Sequence, residues 1–283
     1  MYKQITFFII LLLIIIGSND KFRKRLRPRE TRAIYENGKI YDLDKAQNIK
    51  IYNKNGDVKL TNQKVMMTGS FFNMIEVTQI KKLINDELIY RNSEFEKSTV
   101  ETKFDGDTFL IQTKFYENFP NAKIDLELTI RNSEVKVDEI QTTNGNIIIS
   151  NINNDFKAAT DSGEIQINDN KSFVELFNEN GNISVINTNG IKKINVGKGT
   201  INAEIQNVTN ETTIINNNGD INIKISCNLN TNIEIEATDQ NIINNTTFLK
   251  LLKNDKVFKG TIGAGTNLLF IKASNGQIKI LDL

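Results

Sequence analysis

One phrase recurs along this chain at a fixed interval. "NGNIIIS" (Asn144 to Ser150) returns as "SGEIQIN" (Ser162 to Asn168), then as "NGNISVI" (Asn180 to Ile186). Gly145, Gly163, Gly181 and Gly199 stand 18 residues apart, and Gly219 follows after 20. Five residues before these glycines come Ile140, Ala158, Leu176, Ile194 and Ile214. Two after them come Ile147, Ile165, Ile183, Ile201 and Ile221, and four after come Ile149, Ile167, Val185, Ala203 and Ile223. All of these positions are apolar. Gly56 (Ile51, Val58, Leu60) and Gly276 (Ile271, Ile278, Ile280) obey the same rule. A weaker unit at "ATDQNIINN" (Ala237 to Asn245) is placed to fill the gap after Gly219.

Side chains alternate along a strand, so residues two and four beyond the glycine share one face. Glycine, here usually preceded by Asn or Ser, tolerates the positive φ of a sharp bend. Each unit therefore reads as strand, bend, strand with a single apolar stripe. A segment this short cannot bury that stripe alone, but equal segments stacked on one another can. The pattern predicts a parallel β-solenoid of 18–20-residue coils, each adding about 4.8 Å along the axis. Asn-Gly between alternating apolar runs is also the signal of a two-residue hairpin, so a meander of hairpins is the competing arrangement. The equal spacing favours stacked coils.

Upstream, "NIKIYNKNGDVKL", "NMIEVTQI", "TFLIQTKF" (Thr108 to Phe115) and "KIDLELTIR" (Lys123 to Arg131) read as further strands. Ile84, Leu88 and Phe95 recur at loosely helical spacing, which predicts one short helix in this N-terminal part. The chain thus divides into residues 1–18, a signal peptide or membrane anchor; 19–46, a basic linker; 47–131, an N-terminal β-rich part; and 132–283, the repeats.

The apolar run "ITFFIILLLIII" (Ile5 to Ile16) would reach only about 18 Å as a helix, against a hydrocarbon core of about 30 Å. Length favours a signal-peptide core behind Lys3, with small residues near Gly17 and Ser18 for cleavage. Seven of the twelve residues from Lys21 to Arg32 are basic, which resists export and favours an uncleaved anchor with that run at an anionic lipid surface. Both readings stay open. Ser18 stands where a lipoprotein would need cysteine. Apart from this run, Asp20 before it and Lys3, the body carries 27 basic and 32 acidic residues, so it offers no footprint for nucleic acid.

With these features the chain resembles the bacterial DUF4097 family, adhesin-like proteins with β-strand repeats. The resemblance rests on "IKIYNKNGDVKL", on "DGDTFLIQT" followed by "IDLELTI", on the recurring T-x-x-G-x-I-x-I, and on the closing Phe258 to Leu283. It implies a right-handed β-helix carried on or outside the membrane, and it brings no catalytic motif.

The absence of histidine removes His-based acid–base chemistry, the Ser-His-Asp triad and most zinc sites. Cys227 follows Ile221, Ile223 and Ile225 in phase, so it reads as a small buried hydrophobe. Asp57, Asp161, Glu164, Asp220 and Asp239 flank bends but do not recur in the register of a calcium-binding roll. Asp161 and Glu179 are one period apart and are the candidate pair for a carbohydrate-active enzyme, a reaction that would need them to converge in a cleft. "GTIGAG" (Gly260 to Gly265) lacks the Lys-Ser/Thr of a phosphate loop. Asn207, Asn210 and Asn245 begin N-x-T triplets that an Asn-rich composition explains. The expectation is a membrane-associated or exported binding or structural protein, with no catalytic, metal or cofactor site. Its partners would be surface proteins, glycans or envelope components. An envelope-stress or regulatory scaffold is the alternative.

Overall fold

The computed structural model describes residues 32–43, 45–63, 73–83, 98–115, 122–131, 134–237, 241–254 and 256–283. These residues are all-β, with no α-helix among them; the short helix expected around Ile84 to Phe95 lies outside the described residues. The N-terminal strands are β1 (Arg32–Asp42), β2 (Asn48–Asn55), β3 (Val58–Gln63), β4 (Met74–Leu83), β5 (Thr99–Asp105), β6 (Thr108–Lys114) and β7 (Ala122–Arg131). The repeats form β8 (Lys136–Asn144), β9 (Ile147–Ser150), β10 (Phe156–Ser162), β11 (Ile165–Asn180), β12 (Ile183–Lys198), β13 (Ile201–Ile205), β14 (Glu211–Asn218) and β15 (Ile221–Ile225). The chain ends with β16 (Thr231–Glu236), β17 (Ile242–Asn244), β18 (Leu252–Asn254), β19 (Val257–Ile262), β20 (Asn267–Asn275) and β21 (Ile278–Asp282).

The glycine-marked units do not fold as hairpins. Strands before the glycines pair in parallel with one another, and β6 and β16 extend that ladder at its two ends: β6, β2, β8, β10, β11, β12, β14, β20, β16. Strands after the glycines form a second parallel ladder: β7, β3, β9, β11, β12, β13, β15, β21, β17. Register follows the repeat, so Ile147, Ile165, Ile183, Ile201, Ile221 and Ile278 lie rung on rung. Every apolar repeat position is buried, and all join one core. Nine rungs at strand spacing make a wall about 38 Å long.

Order in space is not order in sequence. The rung of β2 and β3 lies between that of β6 and β7 and that of β8 and β9. At the other end, β20 and β21 lie between β14–β15 and β16–β17. The unit at Ala237 to Asn245 therefore does not follow Gly219; Gly276 stacks there, and Ile242 pairs beyond it with Ile278. Antiparallel strands cover three of the four ladder ends: β5 on β6, β4 on β7 with β1 beyond, and β19 on β16 with β18 beyond, while β17 pairs only with β21 among the described residues. Such pairing blunts edges that would otherwise template another chain.

The bends form a column. Gly181 has φ +146°, and a Cβ there would lie 1.8 Å from the carbonyl oxygen of Gly163. The same collision with the preceding rung recurs at Gly145, Gly163, Gly199, Gly219 and Gly276. A second corner stands six residues beyond the glycine, where Asn151, Asp169 and Asn187 adopt φ of 60, 55 and 50°. Asn and Asp tolerate this left-handed region best among residues with a Cβ.

Inside the bends, the residue three before most of the glycines points inward and serves the neighbouring rung. Thr142 Oγ1 donates to Gly56 O (3.1 Å), Thr160 Oγ1 to Gly145 O (3.0 Å), Asn178 Nδ2 to Gly163 O (2.8 Å) and Asn216 Nδ2 to Gly199 O (2.8 Å). Val196 holds the equivalent place below Gly181 and offers no donor. Thr160→Val is expected to cost about 1–2 kcal/mol although it adds apolar surface, because a buried carbonyl loses its partner. Val196→Thr should stabilise by about 0.5–1.5 kcal/mol. Denaturant titration of both variants checks the opposite signs.

Candidate binding groove on the outer wall

Outward-facing residues form columns, because the parallel register repeats them rung by rung. Six before each glycine the column reads Lys50, Glu139, Lys157, Glu175, Lys193. Signs alternate, and Lys157 meets Glu175 at 3.2 Å while Lys50 lies 3.9 Å from Glu139 and 3.1 Å from Asp138. Lys193 sits 5.5 Å over the Phe177 ring. These exposed pairs contribute little each, but they set like charges apart along the stack.

Three of the acidic residues singled out from the sequence, Asp57, Glu164 and Asp220, have structural partners. Asp57 Oδ1 accepts from Asn146 N (2.8 Å), Asn146 Oδ1 from Glu164 N (2.8 Å), and Asn182 Oδ1 from Thr200 N (2.9 Å). Glu164 Oε1 accepts from Asn182 Nδ2 (3.2 Å), and Asp220 Oδ1 from Gln277 N (2.9 Å). The residue after each glycine thus bridges successive rungs. Asp239 lies outside the described residues. No cluster of three or more His, Cys, Asp or Glu suited to a metal occurs among the described residues.

Asp161 and Glu179 are brought side by side on adjacent rungs, since Thr160 pairs with Asn178 and Ser162 with Asn180. Both are exposed, and only Asp161 lines the groove described below, so the two do not converge in one cleft as paired-carboxylate chemistry requires. Gly260 to Ile262 end β19, and Gly263 to Gly265 begin the turn to β20, held by Asn230, whose Oδ1 accepts from Ala264 N (3.1 Å). Asn210 is a left-handed corner, and Asn245 N donates to Ile280 O (2.9 Å). Cys227 is exposed rather than buried: β15 stops at Ile225, and the turn at Cys227 and Asn228 breaks the alternation that its phase had implied.

A shallow groove of about 310 Å³ opens on this wall near its N-terminal end. It was not legible in the repeat, because its lining comes from rungs distant in sequence: Tyr52, Lys54, Gln112, Gln141, Thr143 and Asp161. Tyr52 is held by its hydroxyl, which donates to Glu139 Oε2 at 2.7 Å, and Gln141 Nε2 donates to Glu139 Oε1 at 2.6 Å. Burial, the bond to Glu139, and the charges of Glu139 and Asp138 push the Tyr52 phenol up to about 12. The bond to Asp138 raises the Lys50 ammonium, partly offset by burial. Lys54 and Asp161 make no ion pair among the described residues.

Because Tyr52 keeps its proton longer folded than unfolded, stability from this group is complete below pH ~10 and falls as pH rises toward 12. Alkaline spectrophotometric titration should show a late-ionising tyrosine that Tyr52→Phe removes. Glu139→Gln should bring that tyrosine down, while burial keeps it above its ordinary value.

A second groove of about 430 Å³ lies near the C-terminal end, around Asn232 and Lys259. Its polar groups satisfy each other: Lys259 Nζ meets Glu234 at 2.7 Å, and Asn232 bonds Thr261 (2.9 Å) and Gly265 O (2.8 Å).

Residues 154–281 match the family model described as Toastrack DUF4097, the family that the sequence resembles. No curated protein matches the chain. Among solved structures, it is similar to a "putative cell adhesion protein" of Clostridium sporogenes (13% identity, 90% of this chain, 100% of that one, TM-score 0.33). It is also similar to a "putative adhesin" of Bacteroides fragilis (12%, 88% and 98%, TM-score 0.39) and a "Putative lipid binding protein" of Parabacteroides distasonis (11%, 88% and 97%, TM-score 0.35).

Proposed function

We propose that this is a non-enzymatic surface protein: a right-handed β-solenoid, exported or held at the membrane by residues 5–16 and the basic run 21–32, whose side wall binds surface proteins, glycans or envelope components. The observation that carries the reading is the wall itself. Nine rungs in two parallel ladders hold columns of outward side chains in fixed register, and antiparallel strands cover three of the four ladder ends. Its candidate carboxylates serve as bridges between rungs or stand exposed, which suits a rigid display surface better than a reaction centre. The match to the Toastrack family agrees with a repeated β architecture of this kind.

The test is protease accessibility on intact producing cells, paired with a cell-binding assay of the full chain. Digestion of the β body together with cell binding is the expected result. A protected body without cell binding would favour an internal envelope scaffold instead.

A further inference from the structure

Resting on that binding-wall reading, we propose that the groove around Tyr52 is a glycan site, taking a neutral polyhydroxylated chain that runs along the stack. One column across the groove reads Gln112, Tyr52, Gln141, Ala159 on successive rungs, and a second reads Lys54, Thr143, Asp161. Four rungs span about 14 Å, so the site suits an extended ligand rather than a single small molecule. Ala159 is the small member of its column, followed by Phe177 on the next rung, and it leaves the depression open where a larger residue would fill it.

The chemistry of the lining selects the ligand. The Tyr52 ring is fixed by its bond to Glu139, so it presents a preorganised aromatic face to the partly positive C–H groups of a sugar ring. Gln141 donates one amide N–H to Glu139, which leaves its second N–H and its carbonyl for a hydroxyl. Lys54 and Asp161 stand two rungs apart, about 10 Å, on either side of Thr143. A strongly ionic ligand is attracted by one and repelled by the other. Hydroxyl groups, which both donate and accept, satisfy the two together.

An extended peptide is the natural rival, but β-strand addition needs an unpaired strand edge. Here β2 is paired by β6 and β8, and β8 by β2 and β10, so the groove floor offers no free backbone.

The full chain in detergent is titrated calorimetrically with neutral glucose- and N-acetylglucosamine-based oligosaccharides of increasing length, beside extended polar peptides. Saccharide binding that strengthens with length is expected. Tyr52→Ala and Asp161→Asn should each weaken it about tenfold or more, Tyr52→Phe should keep most of it, and Thr213→Ala, on the wall outside the groove, should leave it unchanged. Unchanged melting temperatures show that the variants fold. Absence of saccharide binding, binding indifferent to the groove variants, or groove-dependent binding of peptides alone would each overturn the glycan assignment. Cell binding that persists without saccharide binding overturns this site and leaves the display reading standing. Saccharide binding in the groove without cell binding does the reverse.

Discussion

Gly181→Ala is expected to lower the melting temperature by about 10 °C or more. Two costs combine. An alanine at φ +146° is strained, which costs about 1–3 kcal/mol. Its Cβ would also lie 1.8 Å from Gly163 O, so the rungs must separate, and such overpacking costs about 1–3 kcal/mol more. The opposing atom is backbone and cannot rotate away. Gly106, in the turn between β5 and β6, provides the control: its φ is +61°, and nothing lies within 4 Å of the place a methyl would take there. Gly106→Ala should cost only about 1–2 kcal/mol. Thermal melts of both proteins measure the difference; equal losses would show that rung contact contributes nothing.

Ile183→Asp should abolish cooperative folding of the central rungs. Ile183 is fully buried, with Ile165 and Ile201 directly above and below it in register. Removing its side chain from the core forfeits about 1.5–3 kcal/mol, and a buried carboxylate without a partner adds several kcal/mol. The introduced acid would hold its proton in the core, so the defect should be milder near pH 4 than at pH 7. Ser184→Asp, one residue on and on the outer face, should be nearly neutral. Amide hydrogen exchange across β11 to β13 distinguishes the outcomes: loss of protection centred on these strands for Ile183→Asp, and native protection for Ser184→Asp.

Much of the fold was legible because the repeat is written in single residues. Each apolar position two and four beyond a glycine is buried, as period-two alternation requires. Other features were harder to read. The Asn and Asp corners at Asn151, Asp169 and Asn187 keep the same 18-residue spacing, and that spacing could have exposed them; the high Asn content hides it. Cys227 misled because phase was extended past Ile225, where the strand stops. Asp57, Glu164 and Asp220 looked like scattered acids until the register placed each beside the residue it serves on the next rung.

The groove around Tyr52 was hidden for the same reason. Tyr52, Glu139 and Asp161 share a surface only because the rung of β2 and β3 lies against that of β8 and β9, with β6 and β7 on its other side. Residues alone determined the repeat unit, its inward face and its bends, since these follow from local alternation and from φ preferences acting over a few neighbours. The order of rungs at the two ends, the closing antiparallel strands and the groove were decided by tertiary pairing. A strand edge accepts any partner of matching register, and which segment fills it depends on the whole stack burying its apolar faces together.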